Sequence, residues 1–177
     1  MVLRLLKLTT PLLLMKTQLI SFYALLFCAG TVLILKAEAP GNLASSILTQ
    51  ALAGRILNAD VQPGSANTQP DGDNGRMRIS YCSYKGTGTD KNQPHLDLQI
   101  KQSDTPANAR ALFESSKMIY RGQDVSGVGD AAFRSTMPPQ LHILKGRSFI
   151  IVTAGRAKAD PALEESAASE VLRRLRD

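Results

Sequence analysis

"SGVGDAAFRS", residues 126–135, is the stretch on which the fold turns. Gly127-Val128-Gly129-Asp130-Ala131-Ala132 spells the G-x-G-x-x-[GA] turn of dinucleotide-binding proteins, and accepting it would make the chain a parallel α/β sheet. That turn needs a buried strand before the glycines and a helix after them whose N-terminus receives the pyrophosphate. It also needs an acidic residue about 20 positions on for the ribose. None of these is present. The preceding "YRGQDVS" is polar, Met137-Pro138-Pro139 leaves no room for a helix after Phe133, and the chain near position 150 reads "FIIVTAG". Gly127 and Gly129 therefore read as a structural turn, supplying backbone conformations that a side chain resists, while Asp130 bonds neighbouring amides. The turn delivers the chain into a strand, and the sheet it feeds is antiparallel.

The flanking segments agree. "HLDLQIKQ", residues 95–102, alternates Leu96, Leu98 and Ile100 with His95, Asp97, Gln99 and Lys101, which is the period of a half-buried strand. "RMRISYCSYK" before it alternates Met77, Ile79 and Tyr81 on an inward face with Arg76, Arg78, Ser80 and Cys82 outward, so the two predict a hairpin. "AAFRST", "QLHILKG" and "RSFIIVTAG" predict three further strands, and the unbroken apolar run Phe149–Val152 places the last one centrally. Three helices complete the pattern. The first has Leu48, Leu52 and Ile56 on one stripe, with Ser45 or Ser46 as N-cap. The second has Thr105 as N-cap, Pro106 at its first position and Gly122 as its stop, with Ala109, Leu112, Phe113, Ser116, Ile119 and Tyr120 facing the sheet. The third has Asp160 as N-cap and Pro161 next, with Leu163, Ala167, Val171 and Leu175 as its buried stripe. "VQPGSANTQPDGDNG" reads as an exposed loop at 62–75. The fold class is thus α+β, an antiparallel sheet of about five strands in the order α-ββ-α-βββ-α, with helices on one side.

Residues 1–39 read as a signal peptide or membrane anchor. Leu19–Leu35 carries no charge over 17 residues, with Arg4, Lys7 and Lys16 before it, an arrangement that sends the following chain out of the cytoplasm. The run is longer than a usual signal core of roughly 7 to 15 residues and shorter than the roughly 20 of a comfortable span, so cleavage and a retained anchor both stand. Ala37-Glu38-Ala39 has the small-x-small form of a cleavage site, Gly41 offers an alternative, and Met15 is a second possible start. Cys28 follows Phe27, too large for a lipidation motif.

Residues 40–177 make one α+β domain of 138 residues, long enough to close its own core. Its 17 Lys and Arg against 14 Asp and Glu leave only +3 of the whole chain's +6, which excludes nucleic acid as the expected partner. Cys82 is its single cysteine, an unpaired thiol read as a small half-buried core residue. The arginines at 173, 174 and 176 read as a solvated helix end. His95 and His142, on polar strand positions, belong to no metal-binding spacing and read as exposed. Asp97, Glu114 and Asp130 are not selected as a carboxylate pair, and no nucleophile elbow is spelled. No catalytic, cofactor-binding or metal-ligating residue is assigned, and no cofactor is expected. The reading is an exported, non-catalytic binding or accessory domain with an unknown protein or small-molecule partner, touching membrane only through its N-terminal segment. The places to look are the sheet face and the 62–75 loop. Alternatives are a membrane-anchored envelope assembly component, or a hydrolase built on His95 or His142 beside a carboxylate or serine.

In that order along the chain, "SSILTQALAGRIL", "YCSY", "VSGVGDAAF", "LHILKG" and "ASEVLRRL" resemble a broad group of exported bacterial proteins and lipoproteins of unknown function. Those proteins read C-x-L-L-T near the start, then C-x-Y, V-x-G-[LV]-G-D-x-A, a strand ending in K-G and a C-terminal A-x-x-V-L-x-R-L helix. The resemblance implies a compact α+β domain outside the cytoplasm with no established activity. Where such proteins place their first cysteine this chain has Ser45, so the resemblance also implies that Ser45 lies near Cys82.

Overall fold

The computed structural model describes residues 41–62, 64–71, 77–89 and 92–175, all within the compact unit Pro40–Asp177. The leader expected over 1–39 lies outside the described residues. Helices α1 (Leu43–Ile47) and α2 (Gln50–Leu57) precede strands β1 (Val61–Gln62), β2 (Ala66–Asp71), β3 (Met77–Gly86) and β4 (His95–Ser103). Helix α3 (Pro106–Tyr120) follows, then β5 (Gln123–Val125), β6 (Ala131–Thr136), β7 (Pro139–Lys145), β8 (Ser148–Gly155) and α4 (Pro161–Arg174).

The strands form one antiparallel sheet in the order β1-β3-β4-β8-β7-β6-β5, with β2 also on the outer edge of β3. The fold is α+β, but the described residues form eight strands rather than about five and four helices rather than three. The additional strands are short or polar. Ala66–Asp71, expected within an exposed loop, pairs along Met77–Cys82, because an edge strand is held by its backbone ladder and needs no apolar alternation to form it. β5, three residues long, has the same excuse.

The helices also fall on both faces rather than one. On the first face α1, α2 and α4 enclose Leu48, Leu52, Leu98, Ile100, Val152 and Val171. On the second, α3 sets Phe113 edge-on to Phe133 at 5.1 Å and to Phe149 at 6.1 Å, and Leu144 completes this smaller core. β8, between β4 and β7, is thus the strand covered from both sides, as its apolar run requires.

Three local departures have physical causes. The expected single first helix breaks at Leu48 because two caps compete for it. Asn42 accepts from the Ser45 amide and Thr49 from the Leu52 amide, each starting its own helix. The break frees the Leu48 carbonyl, which accepts the Tyr84 hydroxyl at 2.7 Å. In β3 the faces are inverted, so that Ser80, Cys82 and Tyr84 point into the first core and Met77, Ile79 and Tyr81 lie half-buried on the second face. Small polar side chains fit under α1, whereas the opposite face of β3 has no helix over it. At the end of α3 it is Arg121, at φ 48°, rather than Gly122, that takes the left-handed position. Gly122 instead lies against the Phe133 ring, where a side chain would collide.

Candidate functional site

Because α3 lies over the β6–β8 side, the second face is open at β3 and the start of β4. A cleft of about 370 Å³ occupies that opening, lined by Gln62, Ser65, Tyr81, Ser83, Lys85, His95 and Asp97 around Gly64. Strand parity explains the set. Tyr81, Ser83 and Lys85 alternate on one face of β3 and stand opposite Gln99, Asp97 and His95 of β4, so six side chains converge on one surface. The wall is the chain between β1 and β2, held by the Ser83 amide donating to the Ser65 carbonyl at 3.0 Å. Gly64 permits that approach, since a Cβ there would overlap the Ser83 carbonyl.

Within the cleft the Tyr81 hydroxyl donates to the Asp97 Oδ1 at 3.3 Å. Burial, followed by the neighbouring Asp97 charge among smaller effects, pushes the Tyr81 phenol above its ordinary value. Ser83, His95 and Asp97 have the composition of a hydrolytic triad, but the arrangement is different. Among the described residues, Asp97 bonds Tyr81, and no hydrogen bond joins His95 to Asp97 or to Ser83, whereas triad chemistry requires nucleophile, base and acid to be linked in series. What the cleft offers is a mixed surface: Lys85 as a cation, Asp97 as an anion, and hydroxyl, imidazole and amide groups between them. A second hollow of about 340 Å³ lies at the other end of β3, between Met77 and the α3 side chains Asn108, Leu112 and Ser115.

The other residues singled out from sequence are dispersed. Gly127 and Gly129 adopt φ 78° and 63°, and Asp130 accepts the Gly146 amide at 2.7 Å and the Lys145 ammonium at 3.1 Å. This ties the turn before β6 to the β7–β8 hairpin, and the Gly146 amide foremost holds the Asp130 carboxyl below its usual range. Cys82 is buried, its Sγ 4.0 Å from the Leu48 carbonyl. Burial first, then the Asp97 charge, pushes its thiol up to about 12, so it is an inert packing group. Ser45 lies in α1 with its hydroxyl donating to the Asn42 carbonyl at 3.1 Å.

His142, expected on an exposed strand position, is fully buried. Its ring stacks on Phe133 at 4.3 Å and on Tyr120 at 5.5 Å, so α3 covers a position that β7 alone would leave in water. Its Nε2 lies 3.1 Å from the Ser135 Oγ, and that hydroxyl donates to the Pro138 carbonyl at 2.6 Å. This serine–histidine contact is sealed inside the protein and anchors the β6–β7 turn. His95 and His142 stand two strands apart, facing Gly155 and Ile151 of β8 respectively, and do not meet. Among the described residues no three His, Cys, Asp or Glu side chains gather as a metal site would require. No described helix is long and apolar enough to cross a membrane.

An antiparallel sheet with helices on both faces, and a polar cleft on the open part of one of them, defines the class of the described residues as α+β. No protein-family model matches the chain, and no curated protein matches it in sequence. Among solved structures it is similar to the extracellular domain of PknH from Mycobacterium tuberculosis, with a TM-score of 0.54 and 10% identity over 73% of this chain and 93% of that one. At that identity the likeness is one of fold.

Proposed function

We propose that the chain is an exported binding domain whose β3–β4 cleft holds a small polar solute. The observation that carries the reading is the uncovered sheet surface, where Tyr81, Lys85, His95 and Asp97 converge in a space large enough for a small ligand. A sheet face left open beside two closed cores exposes polar groups with unused hydrogen-bonding capacity, and Lys85 with Asp97 supplies both signs of charge within it. Export is supported by the uncharged Leu19–Leu35 run behind Arg4, Lys7 and Lys16, and by the likeness in fold to a domain named as extracellular. The binding is non-catalytic, with no metal or cofactor.

The test is a screen of small polar envelope solutes by amide chemical-shift perturbation on isotope-labelled protein. Shifts confined to β3, the start of β4 and Gly64-Ser65, and lost in Asp97→Ala, are expected. Binding elsewhere, or ester or amide hydrolysis abolished by Ser83→Ala, overturns the reading. N-terminal sequencing of the exported protein decides between a cleaved leader, starting near Glu38, Pro40 or Asn42, and an anchored envelope component.

A further inference from the structure

Four large apolar side chains stay exposed among the described residues: Met118, Ile119, Tyr120 and Met137. Scattered single hydrophobics are ordinary, but a cluster is not, and these gather at one end of the sheet. Tyr120 stacks on His142, and Ser135 bonds both His142 and the Pro138 carbonyl. The last turn of α3 and the Met137-Pro138 turn are therefore anchored to the same buried ring. Met137 at a hairpin tip is 84% exposed, and Met118 and Ile119 on a helix end are 76% and 74% exposed. They project from tips rather than line a groove.

The same end of the sheet carries unpaired positive charge. β3 and β8 stop there and β4 begins there, with Lys85 opposite His95 and His95 opposite Gly155. Arg156 and Lys158 follow directly, and Arg121 leads into Gln123, opposite Arg134. Lys85, Arg121, Arg156 and Lys158 are exposed and form no ion pair among the described residues. Among the described residues the acids nearby are mostly engaged: Asp160 caps α4, Glu165 pairs Arg134 and Asp124 pairs Lys117, whereas Asp60 beside β1 is exposed.

We propose that this end of the domain docks on an anionic lipid bilayer. Apolar side chains on projecting tips, with cations at the same end of the sheet, match the interfacial layer, where the tips enter the acyl boundary and the cations meet headgroup phosphates. A protein partner would need a broad complementary surface, and two tips with a basic rim provide little of one. The contact is separate from the leader, so the domain lies against the membrane even after the leader is removed.

The test uses residues 40–177, which enclose their own cores. Co-sedimentation with phosphatidylcholine vesicles containing phosphatidylglycerol is expected at low salt, with little binding to phosphatidylcholine alone and loss at high salt. Each cation near an anionic surface strengthens partitioning roughly five-fold. Arg156→Glu with Lys158→Glu should therefore weaken it at least about ten-fold, as should Ile119→Glu with Met137→Glu. Arg147→Glu, in the β7–β8 turn at the opposite end of the sheet, leaves it nearly unchanged, separating the local surface from net charge. All of these positions are exposed, and unaltered melting confirms the fold. No binding to anionic vesicles, or binding that both double variants leave intact, overturns the proposal. A dimer dissolved by Ile119→Glu with Met137→Glu, in protein that ignores vesicles, assigns the surface to a second copy and overturns it equally.

Discussion

Arg134 on β6 reaches across the first face to Glu164 on α4, its Nε 3.2 Å from the Oε2 of a carboxylate only 1% exposed. Leu163, expected on the inner stripe of this helix, packs partly buried against the core, and Glu164, not expected there, is buried beside it because a cation waits for it on the sheet. The guanidinium also bonds Glu165 at 3.2 Å, clamping the first turn of α4.

Removing the cation strands the acid. Arg134→Met should cost about 3 kcal/mol at neutral pH, and Arg134→Met with Glu164→Gln should recover most of it. Burial already holds the Glu164 carboxyl above its ordinary range despite Arg134, so its neutral form is the better tolerated. In the single variant the loss should shrink as pH falls and Glu164 protonates. Urea unfolding at several pH values measures this, and a loss independent of pH contradicts the account.

His142 makes the native state sensitive to acid. Burial, followed by the Lys101 charge, lowers its imidazole to about 4, against about 6.5 in the unfolded chain. Between those values the unfolded state takes up a proton that the native state refuses. This group's contribution is therefore intact above pH 6.5 and falls as pH drops towards 4, by about 3 kcal/mol in all. His142→Phe should keep the stack on Phe133 and flatten this part of the pH–stability curve. An unchanged slope in that variant would assign the acid sensitivity elsewhere.

The two glycines of the 126–135 turn should respond differently to a methyl group. A Cβ at Gly127 meets nothing within 4 Å, whereas one at Gly129 would lie 2.6 Å from both the Ile143 side chain and the Leu144 carbonyl. Both have positive φ, so Gly127→Ala should cost about 1 kcal/mol of backbone strain. Gly129→Ala adds overpacking and should cost about 3. Equal losses in thermal unfolding would mean the turn is not held by this contact.

We propose that Ser45→Cys bridges to Cys82. Asn42, at the start of α1, donates to the Tyr81 carbonyl at 3.0 Å, and Cys82 lies under the Leu48 carbonyl at its end, so α1 is laid along this part of β3. Oxidised protein should gain about 2 to 4 kcal/mol. Mass spectrometry under non-reducing conditions reads the bridge, and two free thiols after oxidation would show the residues to be too far apart.

Sequence patterning carried the strands whose alternation is strong. β4, β6, β7 and β8 and the caps Thr105 and Asp160 stand where the periodicity of Leu96-Leu98-Ile100 and the Thr-Pro and Asp-Pro pairs put them. β2 carries no such pattern, being an edge strand, and Ile119 was read as buried although it is exposed, since a helical stripe does not say how far along its length the partner surface extends. For the site, the 62–75 segment and the sheet face were legible as places to look. Of the residues that converge there, His95 and Asp97 were read on the polar face of their strand, whereas Tyr81 was grouped with the apolar Met77 and Ile79, whose face turned out to have no helix over it.

The sequence alone determined the strongly patterned strands β3, β4, β6, β7 and β8 and the capped helices α3 and α4, because backbone preference, capping and local periodicity act within a few residues. Tertiary structure decided which face of β3 is inner, that α3 lies opposite the other helices, and that His142 and Glu164 are buried. Those outcomes depend on what a distant segment sets against each surface, and a side chain's burial belongs to its neighbours in space rather than to its place in the chain.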